Sequence, residues 1–142
     1  MMYDPFMVQP MRDELTRIGF KELTTPEEVD RLLPESKGTT LLVVNSVCGC
    51  AAGQARPGVA LALTNEVKPD NLFTVFAGQD VEATARARSY LKGYPPSSPA
   101  VALFRDGELA FMMERHQIEG RSAEQVASDL IASFEKYCNS NG

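Results

Sequence analysis

Apolar and polar positions along the chain follow two alternating periods. Met7, Met11, Leu15 and Ile18 recur at spacings of four, four and three, which predicts a helix that opens at the Asp4-Pro5 cap, closes at Gly19 and lays that stripe across a core. A short strand is expected at 20–23. Thr25-Pro26-Glu27-Glu28 supplies a cap residue, a proline at the first helical position and a glutamate two residues later, so a second helix should run through Leu33 and bury Val29, Leu32 and Leu33. Thr39 to Val47 is almost continuously apolar or β-branched, as a central strand buried on both faces requires.

The triplet Cys48-Gly49-Cys50 follows that strand, and an alanine-rich helical segment follows the triplet. Pro57 lies inside the segment, where its missing donor and its ring predict a kink or a restart. A second buried strand is expected at 72–77, and 81–91 reads as a weakly striped helix with Arg86, Arg88 and Lys92 outward. Beyond the loop at 93–99, strands at 100–104 and 109–113 flank Arg105-Asp106-Gly107-Glu108, a hairpin signal that implies antiparallel pairing. The last helix opens with Ser122 and Gln125 as a capping box and carries Ala123, Val126, Ala127, Leu130, Ile131, Phe134, Tyr137 and Cys138 on one face. Residues 139–142 should fray.

The order α-β-α-β-α-β-α-β-β-α predicts an α/β fold, a central mixed sheet with helices on both faces. Pairing should be parallel where helices intervene and antiparallel at the hairpin. The length of 142 residues suits one domain, 1–142, with a full core. Apolar residues make up 44% and charged residues 23%, which excludes a disordered or collagen-like chain. The formal charge is −5 with no basic run, an argument against nucleic acid or an anionic membrane as the main partner. No apolar stretch of about 18 residues occurs. The start, Met1-Met2-Tyr3-Asp4-Pro5, lacks a basic segment followed by an apolar one, so a cytoplasmic location is expected.

Three cysteines are too few and too odd in number for a disulfide scaffold. Cys48 and Cys50 fall beyond the carboxyl end of a buried strand, where open α/β sheets gather catalytic groups. They also meet the start of a helix, whose free amides and dipole favour a thiolate and lower a cysteine pKa from about 8.5. Thiolate is the nucleophile of disulfide exchange. A disulfide limits the Cα separation to roughly 4.4–6.8 Å, so residues i and i+2 close one only when bent. Gly49 is expected to supply the permissive backbone for that bend, giving a strained and readily reduced ring.

Four stretches carry a family resemblance: YDPFMVQPMRDELTRIGFKELTTPEEVD (3–30), LLVVNSVCGCAAGQARPG (41–58), PPSSPAVALFRDGEL (95–109) and ERHQIEGR (114–121). The chain resembles the thioredoxin superfamily and, more closely, the bacilliredoxins, small bacterial proteins with a Cys-Gly-Cys site. The resemblance implies a thioredoxin-like three-layer sandwich with an extra N-terminal helix, and thiol-disulfide oxidoreductase activity without a cofactor. It further implies that Cys48 attacks and Cys50 resolves. Pro99 would be cis and face the cysteines, with Ser98, Pro99 and Gly49 at the substrate. The small thiol bacillithiol would be the co-substrate removed from thiol-modified client proteins. The chain departs from general thioredoxins in having Cys-x-Cys rather than Cys-x-x-Cys, no preceding Trp, and Asn45 where a buried acid would assist proton transfer.

Other residues are candidates for chemistry. Cys138 reads as a buried, inert thiol, with a regulatory thiol as the sharper alternative. His116, the single histidine, reads as structural or as a proton donor to a leaving thiolate. Arg56 and Arg115 read as solvated charges or as guides for a carboxylate-bearing thiol, and Met7 and Met11 as core rather than thioether ligands. A protein disulfide isomerase would use the same cysteines. A metal-binding or carrier module would need Cys138 or His116 to join them, because two cysteines one residue apart supply half of a closed tetrahedral zinc site.

Overall fold

A computed structural model describes residues 2–138; the expected fraying of 139–142 lies outside these residues. Five strands, β1 (Lys21–Glu22), β2 (Thr39–Asn45), β3 (Asn71–Phe76), β4 (Ala100–Arg105) and β5 (Glu108–Met113), form one sheet in the order β1-β3-β2-β4-β5. β3 pairs in parallel with both β1 and β2, while β4 runs antiparallel to β2 and β5. Helices α1 (Pro5–Thr16), α2 (Pro26–Leu32), α3 (Arg56–Ala62), α4 (Val81–Arg88) and α5 (Ala123–Tyr137) complete the predicted order.

Every residue of β2 is buried, as its unbroken apolar run predicts. Its side chains alternate between faces: Leu41 and Val43 join a core with Ala55, Val59, Val126, Leu130 and Phe134 of the α3–α5 side. Leu42 and Val44 join Val29, Ala83, Ala87 and Phe104 of the α2–α4 side. The result is a three-layer sandwich with helices on both faces, and β2 occupies its centre.

Local signals account for the element ends. Asp4 caps α1 by accepting from the Phe6 amide at 2.9 Å. Thr25 accepts from the Glu28 amide, whereas the Glu28 carboxylate reaches back to Thr24 rather than to the cap residue; that bond, against a small opposing effect of burial, holds the Glu28 pKa below its ordinary value. At α5 the capping box of Ser122 and Gln125 is complete in both directions. In the hairpin, Asp106 and Gly107 both have positive φ, 50° and 85°, which matches the type I′ geometry of tight hairpins.

Two expectations need correction. α1 turns Val8 and Leu15 into the core, while Met7 is 46% exposed and Met11 only partly covered; the buried pair is spaced by seven residues, so the covered face is narrower than the expected stripe. Arg88 does not point outward with Arg86 and Lys92 but is half-buried at the end of α4. At Pro57 the irregularity takes the form of a change in helix type rather than a break. The helix accommodates it through a π turn at Ala51–Ala55, in which the Arg56 amide bonds to the Ala51 carbonyl five residues back. A π turn takes one residue more than an α turn and shifts the phase of the succeeding helical turns, and Arg56 is consequently buried, at 2% exposure.

Candidate active site

β2 ends at Asn45, and the chain bends through Ser46 and Val47 before the helix begins at the cysteine triplet. The Ala51 and Ala52 amides both bond to the Cys48 carbonyl, at 3.1 and 3.2 Å, so Cys48 stands at the first turn. Its Sγ lies 2.9 Å from Cys50 Sγ and 3.2 Å from the Ser46 hydroxyl. Both cysteines are free thiols; Cys48 is half-buried and Cys50 is buried.

This environment splits the two thiols. Burial works against ionisation of Cys48, but the Cys50 thiol, the Ser46 hydroxyl, the Ala51 amide and the charge of Arg115 together outweigh it and bring the Cys48 pKa below its ordinary value. Cys50 moves the other way: burial raises it, and its hydrogen bond and proximity to Cys48 raise it further. Of the two sulfurs Cys48 is therefore the one that gives up its proton more readily, while Cys50 holds its own.

Gly49 is exposed and helical, outside the left-handed region, and a Cβ built there meets nothing within 4 Å. The cysteines face each other without the special backbone expected of that glycine.

The Ser98–Pro99 bond is cis, as the resemblance implies. Ser98 shares with Cys48 a cleft of about 290 Å³, which Ser46, Gly78, Arg88 and Arg115 also line; Pro99, which follows Ser98, is buried and is not among the lining residues. Arg115 is tied to this loop through its amide, which donates to Ser97 Oγ at 2.7 Å, and through Nη1, 3.3 Å from the Ser98 carbonyl. Its side chain also pairs with Glu119 at 2.9 Å. Of the two arginines expected as guides, Arg115 thus stands beside the thiols.

Arg56 does not reach the cleft. Its Nη1 donates at 2.9 Å to both Asn45 Oδ1 and the Ser46 carbonyl, and its Nε sits 3.1 Å from Glu14 Oε1 in an ion pair without hydrogen-bond alignment. It braces the turn beneath Cys48 from inside. Asn45 also accepts from the Ser46 amide and donates to the Met11 carbonyl, so the polar groups at the end of β2 are committed to structure.

His116 is exposed and contacts Glu114 at 3.2 Å; it lines a neighbouring depression with Pro95, Pro96 and Glu119 rather than the Cys48 cleft. Cys138 caps the end of α5 and packs against the core. Burial raises its pKa, and the groups around it, Thr39, Asp70 and Arg105, belong to the far end of the sheet. The length of β2, about 20 Å for seven residues, separates it from Cys48. Neither residue can complete a metal site with the cysteine pair, and no cluster of three or more ligating side chains occurs among the described residues. Nor is any helix among them long and apolar enough to cross a membrane.

Sequence reasoning missed Ser46 and Arg88. Ser46 had a signal: it stands two residues before Cys48, the spacing that puts extended side chains on one side. Arg88 had none, because a polar helix with a weak stripe does not reveal which arginine turns inward.

Comparison with known proteins agrees with this geometry. The family model described as "Disulphide isomerase" matches residues 3–138. A bacilliredoxin of Salinibacter ruber is 56% identical over 140 residues, covering 97% of this chain and 82% of the relative. That of Geobacillus kaustophilus is 54% identical over 142 residues, covering 97% and 98%. Among solved structures, Fasciola hepatica thioredoxin superposes with a TM-score of 0.58 at 19% identity, covering 83% of this chain and 99% of that one, which establishes the thioredoxin fold. With a divided thiol pair at the head of a helix, a cis-proline loop beside it and relatives of this closeness, the chain belongs to the bacilliredoxin family of thiol-disulfide oxidoreductases.

Proposed function

We propose that the protein removes a low-molecular-weight thiol, bacillithiol or a close analogue, from thiol-modified client proteins in the cytoplasm, acting as a single domain, 1–142, with no further cofactor. The observation that carries this reading is the division of labour between the sulfurs: an accessible Cys48 with a lowered pKa beside a buried Cys50 with a raised one. Cys48 thiolate attacks the small-thiol sulfur of the mixed disulfide. The client leaves as a thiolate and takes up a proton, and Cys48 keeps the small thiol in a new disulfide. Cys50 then attacks Cys48 Sγ, forming the Cys48–Cys50 disulfide and expelling the small thiol; alternatively a second small thiol attacks the adduct, restores Cys48 and departs as a symmetric disulfide. Gly49, Ser98 and the cis Pro99 would border the incoming chain.

The experiment is mass spectrometry of Cys48→Ala and Cys50→Ala after incubation with a bacillithiolated client. The adduct should accumulate on Cys48 in Cys50→Ala and be absent from Cys48→Ala. Adduct on Cys50 would reverse the assignment. The description of the matching family favours a second use of the same chemistry, isomerisation of client disulfides; Cys50→Ala would then trap the client itself on Cys48.

A further inference from the structure

The chain is acidic, with nineteen Asp plus Glu against fourteen Lys plus Arg, yet among the described residues the cleft beside Cys48 is lined by two guanidinium groups and no carboxylate. Arg115 has its charge answered by Glu119 at the rim. Arg88 does not: its Nη2 makes one long bond, 3.4 Å, to the Ser97 carbonyl, and its Nε is buried without a partner. Burial lowers its pKa with no acidic neighbour to counter it. Arg12 shows how this molecule otherwise treats an inward arginine, setting it 2.8 Å from Asp80 and 2.5 Å from Glu22. Leaving a buried donor unmatched is unfavourable, and a guanidinium fork matches a carboxylate in shape and charge. Arg88 thus brings to the cleft a guanidinium whose charge no carboxylate among the described residues answers.

We propose that Arg88 is the carboxylate-binding residue of the cleft and selects small thiols that carry a carboxylate. This rests on the thiol-exchange reading above and names the substrate class it serves. The small thiol, rather than an acidic side chain of the client, is the source of the carboxylate because Arg88 is half-buried within a cleft of about 290 Å³, which Tyr3 and Gly78 also line. That volume is at the lower end of small-molecule sites. A client polypeptide would instead meet the exposed rim, where Pro95, Pro96 and His116 lie.

The test compares alkylation of Cys48 by iodoacetate and by iodoacetamide, which differ in the carboxylate. The ratio of the two rates cancels changes in thiol reactivity. It should fall about fivefold in Arg88→Gln and less in Arg88→Lys, which keeps the charge and loses the fork; an unchanged ratio overturns the proposal. In the unaltered chain, succinate at constant ionic strength should lower the same ratio, and no effect of succinate counts against the subsite without needing any variant to fold. The source is separated by a cysteine peptide bearing mercaptoacetate or 2-mercaptoethanol as its mixed disulfide, with Glu or Gln beside the cysteine. Arg88→Gln should abolish the preference for mercaptoacetate; loss of a preference for Glu instead assigns the carboxylate to the client and overturns the proposal. Alkylation needs no exchange, so a retained iodoacetate preference without thiol transfer overturns the function and keeps the subsite.

Discussion

Arg56 Nη1 and Asn45 Oδ1 lie 2.9 Å apart, and both residues are 2% exposed. A buried arginine thus occupies the underside of the redox site, with Asn45 and the Ser46 carbonyl as its acceptors and Glu14 as its counter-charge. Removing it leaves a buried carbonyl oxygen without its donor. Arg56→Met should lower stability by about 1–3 kcal/mol, read as a fall in the urea midpoint, and Arg56→Lys should recover part of the loss. An unchanged midpoint in Arg56→Met would mean that the network contributes nothing.

The pH dependence of Cys48 is set by the groups that hold its charge. Alkylation requires thiolate, so its rate rises with pH through the Cys48 pKa and levels off above it; the midpoint should lie below the ordinary cysteine value of about 8.5. Ser46→Ala removes a hydrogen bond to the sulfur and Arg115→Gln removes a nearby cation. Each should move the midpoint upward, and in Cys48→Ala the midpoint of Cys50 should move downward because a neighbouring negative charge is gone.

Two glycines of the same helical segment should respond in opposite ways. A Cβ at Gly49 meets nothing, whereas one at Gly58 lies 2.7 Å from Val126 Cγ1 and 3.1 Å from the Ala123 carbonyl. Gly58→Ala should lower stability by about 1–3 kcal/mol by forcing α3 away from α5. Gly49→Ala should leave the melting temperature unchanged or higher, because its methyl group enters open space.

The first helix offers a contrast between neighbours. Val8 is fully buried and Met7 is 46% exposed. Val8→Ala should cost about 1–3 kcal/mol through two lost methyl groups and the cavity they leave, and Met7→Gln should stay within about 0.5 kcal/mol of the parent. Equal losses in denaturant titrations would restore the face inferred from spacing alone.

The features legible in the sequence are those set by local chemistry. The apolar run of β2, the Asp106-Gly107 turn and the Ser122–Gln125 box each act over a few residues, and each appears where the pattern puts it. Cys48 and Cys50 are legible for the same reason, since strand, thiols and helix come in order. Arg56 is not, because the π turn before it changes the helical phase, and no single residue type announces that extra residue. Arg88 and Met7 are not, because whether a helix position is covered or left open is decided by chain distant in sequence, which buries part of Arg88 and leaves Met7 exposed. Spacing gives Gly49 a conformational task that the first turn of the helix performs without it.

β2 pairs on both edges and is covered on both faces. Its amides should therefore exchange with solvent deuterium only on global opening, the slowest class of exchange in the molecule. Cys48 stands three residues beyond the end of that strand. The reacting sulfur is thus tethered to the part of the chain that opens last, and a protein whose termini or edge strand β1 have loosened would retain an intact redox centre until the whole fold gives way.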